Sequence, residues 1–140
     1  MMQLQGIFPV KRKIWEKSIQ NIKIDNEDSF YGSLSKSSLV VCTYNSTTFL
    51  ETLKINFPTL IYWDDDFWEL REDAKPYYAY LIDAGILHHT VDSAFQKFKK
   101  IENNFLVWWK SKEVQAARKN FLEYYARDYE DCIRVINDSL

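Results

Sequence analysis

The sequence predicts an α/β domain, a mainly parallel sheet with helices on both faces and a long C-terminal helix. Three observations predict it. Short β-rich runs alternate with segments of helical periodicity, the pattern of a layered α/β domain. One run, Leu39-Val-Val-Cys-Thr43, is of the continuous β type that a strand buried on both faces requires. The connections between strand and helix are tight, so neighbouring strands must run parallel with a helix crossing between them.

The elements follow in order along the chain. Gln3 to Phe8 reads as a short strand ended by Pro9, and Ile22 to Ile24 as another. Asn26 or Asp28 can cap a short helix carrying Phe30, Tyr31 and Leu34 at helical spacing. After the buried run, a helix extends from about Thr47 to Ile55, with Phe49, Leu50 and Leu53 on one face. Asn56 falls where a left-handed C-terminal residue belongs, and Pro58 blocks continuation. Thr59 to Trp63 then completes a parallel strand–helix–strand unit. Asp66 and Glu69 are spaced as an N-cap and its third helical residue, so a helix is expected near Phe67. Pro76 suits the first turn of a second helix ending at Ala84, with Gly85 just beyond. Ile86 to His88 is a last short strand. Thr90 caps a helix through Phe95, Phe98 and Ile101, and a long helix from Lys112 to Tyr129 sets Val114, Ala117, Phe121 and Tyr125 on one stripe.

The bulk properties narrow the function classes. At 140 residues the chain has the length of one domain, and 46% hydrophobic residues can build a core. No repeat, low-complexity tract or linker divides it, so residues 1–140 are read as a single unit. A net charge of −2 gives no general reason to expect nucleic acid or an anionic membrane as a partner. No apolar stretch suits a transmembrane helix, and the first ten residues lack the features of a signal peptide. At most peripheral membrane association is expected, and a cytoplasmic location. The two cysteines, Cys42 and Cys132, are far apart, and Cys42 reads as a buried small hydrophobe.

The chemically suggestive segment is the turn Tyr44-Asn45-Ser46-Thr47-Thr48, between a buried strand and a helix. In open parallel sheets ligands gather at the carboxyl ends of the strands. A helix N-terminus there offers free N–H groups and a dipole that favour an anion. Glu51, one turn later, is placed to accept the two hydroxyls of a ribose. The competing account is simple: Asn, Ser and Thr are also the best N-caps, and Thr48-Phe-Leu-Glu51 matches a capping box. Neither a Gly-rich phosphate loop nor the GxGxxG dinucleotide fingerprint is present.

The stretch from Val40 to Pro58 resembles the donor-binding signature of two-domain, GT-B glycosyltransferases: a buried strand, a small-residue turn, a helix carrying a Glu, and a Pro before the next strand. More closely, the chain resembles a family of bacterial transferases linked to surface-carbohydrate biosynthesis. The phrases that carry this likeness are Thr43-Tyr-Asn-Ser-Thr-Thr-Phe-Leu-Glu-Thr-Leu, Phe57-Pro-Thr-Leu-Ile-Tyr-Trp, Phe67-Trp-Glu-Leu-Arg-Glu-Asp-Ala-Lys-Pro-Tyr, Gly85-Ile-Leu-His and Trp108-Trp-Lys-Ser-Lys-Glu-Val-Gln-Ala-Ala-Arg.

The resemblance implies a Rossmann-like domain equivalent to the C-terminal half of such an enzyme, binding a nucleotide-sugar donor. Asn45, Ser46, Thr47 and Thr48 would then surround the donor diphosphate, and Glu51 would hold its ribose. The acceptor-binding half, which often supplies the catalytic base, would be a separate or missing partner, leaving this chain inactive alone. The alternative is an inactive fragment, or a binding or regulatory module that keeps the fold.

Other features have structural readings. Lys11, Arg12, Lys13 and Lys17 form a basic run that suits a solvated face, although a cation there can neutralise a diphosphate. Asp64, Asp65 and Asp66 are consecutive and do not converge readily on one ion, so no metal site is expected, nor any other cofactor. His88 and His89 are adjacent, face opposite sides of a strand, and cannot chelate together; either could line the sheet edge near a ligand as a general base, although a structural or surface histidine is the simpler account. Of the many aromatics, Trp63, at the carboxyl end of a strand, is the best placed to stack on a nucleobase, whereas core packing accounts for the rest.

Overall fold

A computed structural model describes residues 25, 27 and 29–127. The expected strands at Gln3–Phe8 and Ile22–Ile24, the caps Asn26 and Asp28, the basic run at 11–17 and Cys132 all lie outside the described residues. The elements in order are α1 (Phe30–Leu34), β1 (Val40–Cys42), α2 (Thr47–Lys54), β2 (Thr59–Tyr62), α3 (Lys75–Asp83), β3 (Leu87–His88), α4 (Val91–Ile101), α5 (Phe105–Trp109) and α6 (Lys112–Tyr125).

The three strands form one parallel sheet in the order β1-β2-β3. Val40, Val41 and Cys42 pair with Thr59, Leu60 and Ile61, and Ile61 and Tyr62 pair with Leu87 and His88. Strand order follows chain order, so no reversal of the winding falls among the described strands. The sheet is flanked by helices. Helices α2 and α3 both pack against α6, whereas α4 lies against β2 and β3.

The central strand shows why both faces need cover. Ile61 and Trp63 point into the main core with Phe49, Leu53, Tyr78, Leu81, Trp109, Val114 and Phe121. Leu60, the residue before Ile61, must point the other way; it too is buried, but outside that cluster. The flanking run differs from expectation. Within Leu39–Thr43 only Cys42 is buried, while Val40 and Val41 are half-covered. As the outer described strand, β1 has a described neighbour on one side only. Burial pushes the Cys42 thiol up to about 12, so it packs as a hydrophobe and does not ionise.

Helix ends follow local chemistry. Ser29 caps α1, its hydroxyl accepting from Gly32 N at 3.0 Å. Thr90 caps α4 by accepting from Ser93 N at 3.1 Å. Gly85 follows α3 with φ 66° and Asn56 follows α2 with φ 59°, the left-handed residues that the sequence marks for both places. The buried stripe of α4 is Ala94 and Ile101; Phe95, expected on it, is 56% exposed. Helix α6 ends at Tyr125, short of the expected Tyr129, which lies outside the described residues. Its stripe Val114, Ala117 and Phe121 is buried as expected. Helix α5 was not anticipated from periodicity; Asn104 caps its single turn by accepting from Val107 N.

The helix expected to begin near Phe67 does not form. Asp64, not Asp66, organises this stretch: its carboxylate accepts from Asp66 N at 3.0 Å and its carbonyl from Phe67 N and Trp68 N. These bonds close a turn, leaving Phe67 80% exposed. The first helix after β2 therefore begins only at Lys75, with Pro76 in its first turn.

Among the described residues no helix is long and apolar enough to cross a membrane.

Candidate functional site

Parallel strands deliver their following loops to one edge of the sheet. Here that edge carries the turn after β1, the Asp64–Asp66 turn after β2 and His88–Thr90 after β3.

The first of these is the strand–turn–helix singled out in the sequence. Ser46 is the N-cap of α2, in extended conformation, but its side chain makes no capping hydrogen bond. The expected capping box from Thr48 to Glu51 is absent as well: Thr48 already lies inside the helix. The Ser46 hydroxyl is buried and without any hydrogen-bond partner. An oxygen removed from water in this way costs about 1–3 kcal/mol relative to a paired one. It stands beside the amides of the first helical turn, which have no intrahelical acceptors. Asn45 and Thr48 are half-buried around it, and Thr47 and Glu51, four residues apart, share the exposed side of α2. The strand and helix thus bring Asn45, Ser46, Thr47 and Thr48 to one place, with Glu51 one turn beyond. Two open depressions lie elsewhere, one along Glu69–Asp73 and one between Tyr77, Tyr80, Asn120 and Tyr124.

Trp63 is not at the surface. The ring is 1% exposed and sits between Phe49 and Tyr78, with centroids 5.8 Å from each. That burial leaves no ring face open to a nucleobase, so Trp63 is a core residue and not the stacking platform expected of it. Strand alternation turned its side chain to the core, with Ile61.

The two adjacent histidines separate as strand geometry demands. His88 bridges β3 to the start of α4: Nε2 lies 3.1 Å from the Gly85 carbonyl and Nδ1 3.2 Å from the Ser93 hydroxyl. Burial, with a smaller contribution from the nearby Lys97 charge, lowers its pKa below the ordinary histidine value, so the neutral ring is favoured. His89 turns instead to the loop after β2, where its Nδ1 lies 2.7 Å from Asp65 Oδ1. The contact is an ion pair when the ring is protonated, and its angle falls short of a directed hydrogen bond. Sequence spacing gave no sign of this pair, because it depends on β2 and β3 being neighbours.

Among the described residues no group of three or more His, Cys, Asp or Glu side chains is arranged to hold a metal ion. Asp64 is engaged with its own turn and Asp65 with His89, so the acidic run does not converge.

A parallel α/β sheet with an open helix N-terminus at its carboxyl edge is a framework suited to anionic ligands. The chain belongs to the LIC12162 family transferases, whose family model matches residues 5–140. No curated protein and no solved structure matches it.

Proposed function

We propose that this transferase-family chain is the donor-binding half of a glycosyltransferase for surface-carbohydrate biosynthesis, equivalent to the C-terminal domain of a GT-B enzyme. The observation that carries the reading is the Ser46 hydroxyl, buried, unpartnered and set at the start of α2. A phosphate oxygen there gains the first-turn amides and the dipole, and restores a partner to that hydroxyl. Asn45, Thr47 and Thr48 complete the diphosphate subsite, and Glu51 on the exposed side of α2 takes the ribose hydroxyls. Catalysis in such a site is mainly positioning, together with stabilisation of the departing diphosphate by preorganised donors. A separate acceptor-binding protein or domain supplies the other wall of the cleft.

The test is a titration of the chain with nucleoside diphosphates and nucleotide sugars, followed by backbone amide shifts, with Glu51→Ala alongside. Shifts concentrated on residues 45–51 for one nucleotide, and weakened in the variant, are expected. No response at millimolar ligand would sink donor binding by this chain and leave the alternative, an inactive or regulatory module that keeps the fold.

A further inference from the structure

The strands that carry the 45–48 turn and His89 are separated by β2 alone. Neighbouring parallel strands lie about 4.8 Å apart, so the loops after β1 and β3 emerge roughly 10 Å from one another. Between them the loop after β2 supplies Asp65. Its carboxylate, 62% exposed, approaches His89 Nδ1 at 2.7 Å, on a ring that is 28% exposed. Nδ1 itself is buried. No hydrogen bond engages Nε2 among the described residues. His88 supplies the contrast one residue earlier, with both ring nitrogens engaged by Gly85 and Ser93.

An imidazole with a carboxylate against Nδ1 and no partner at Nε2 can act as a general base: the negative charge beside Nδ1 favours the tautomer with the proton there and stabilises the imidazolium that forms. We propose that His89 Nε2 is the base that activates the acceptor hydroxyl, with Asp65 as its positioning residue. This assignment rests on the donor reading of the 45–48 turn. As the acceptor oxygen attacks the anomeric carbon, its proton passes to Nε2. The bond from that carbon to the diphosphate oxygen breaks, and its electron pair leaves with the nucleoside diphosphate at the α2 N-terminus. The single displacement inverts the anomeric carbon. The base then comes from the same chain as the donor site, and the partner half has to supply acceptor binding only.

The experiment uses the full chain with nitrogen-15-labelled histidine, observed near pH 8, where an ordinary imidazole is neutral. His89 is expected to carry its proton on Nδ1 in the wild type and to lose that preference in Asp65→Ala. Nucleotide sugars that shift the amides of residues 45–51 are expected to shift His89 Nε2 as well, whereas the matching nucleoside diphosphate, lacking the sugar, should leave it in place. A wild-type proton on Nε2, or a tautomer indifferent to Asp65→Ala, overturns the dyad. Amide shifts at the turn without any response of His89 overturn its role while leaving donor binding intact. Silence at both places overturns the donor reading and this assignment with it.

Discussion

The two ends of α2 are built on opposite plans. At the C-terminal end side chains from α5 and α6 reach the polar groups of Asn56 and Leu53. Asn56 adopts φ 59°, and its carbonyl and Oδ1 both accept from Trp109 Nε1, at 3.0 and 2.9 Å. Gln115 donates to the same Oδ1 at 3.1 Å and to the Trp109 carbonyl at 2.7 Å. Arg118 Nη1 donates to the Leu53 carbonyl at 2.8 Å, satisfying one of the last carbonyls of the helix. At the N-terminal end, the cap residue makes no capping bond and its hydroxyl is buried without a partner. One end is stapled to α5 and α6, and the other is held open at the carboxyl edge of the sheet. The difference teaches where stability is made and where a ligand can be received.

The strongest way to break the comparison is at Trp109, 2% exposed and bonded to Asn56. Trp109→Ala removes a large core side chain and is expected to cost about 3–5 kcal/mol in denaturant unfolding. A loss below about 1 kcal/mol would mean that the α2–α5–α6 junction is not a stability centre.

Asn56 separates backbone from side chain. Asn56→Gly keeps the left-handed turn but loses Oδ1, the acceptor for Gln115 and one of two for Trp109, whereas Asn56→Ala loses Oδ1 as well and keeps a Cβ at positive φ without asparagine's tolerance of that region. The alanine variant is expected to be about 1 kcal/mol less stable than the glycine one, and both less stable than wild type. Equal stability of the two variants in thermal or denaturant unfolding would remove the conformational half of that account.

Acid sharpens the contrast at the sheet edge. Because burial depresses the folded-state pKa of His88 below 6.5, the unfolded chain takes up the proton first as pH falls. This histidine's contribution is complete above the unfolded value and is lost as pH drops through the folded one. Melting temperature is therefore expected to decline below about pH 6.5, and the decline should be shallower in His88→Gln. A pH profile identical in the two proteins would show that the bridge to Ser93 and Gly85 is not what titrates.

The smallest effect is expected at the other end of α2. Ser46→Ala deletes a buried hydroxyl that has no partner, so stability should stay within about 0.5 kcal/mol of wild type, or rise slightly. Phosphate-ligand shifts at residues 45–51 should weaken in the same protein. A loss of more than about 1 kcal/mol would mean that Ser46 caps the helix in solution, and the two ends would no longer differ in kind.

How much of this was legible depended on the range of the interaction. Asn56 and Gly85 were readable because left-handed φ after a helix is a local requirement that few residues meet. Pro76 and Thr90 mark helix starts for equally local reasons. The helix near Phe67 was misread because Asp66 and Glu69 have capping spacing, yet Asp64 two residues earlier captured Asp66 N and closed a turn instead. Phe95 was misplaced because helical spacing gives a stripe but not which of two neighbouring stripes meets the sheet. Trp63 was sent to the surface by its position at a strand end, while its alternation with Leu60 sent it to the core.

The sequence by itself determined the α/β layering, the strand–turn–helix at 40–53, the left-handed residues Asn56 and Gly85 and the cap Thr90, since each rests on contacts within a few residues. Only the tertiary structure decided that Ser46 would be buried without a partner, that Trp109, Gln115 and Arg118 would close the far end of α2, and that Asp65 would meet His89. Those pairings span 24 to 65 positions along the chain, from Asp65 and His89 to Leu53 and Arg118. No local propensity encodes such distances. They exist because parallel strands and packed helices bring remote segments to the same edge, and burial then selects which of their polar groups find partners.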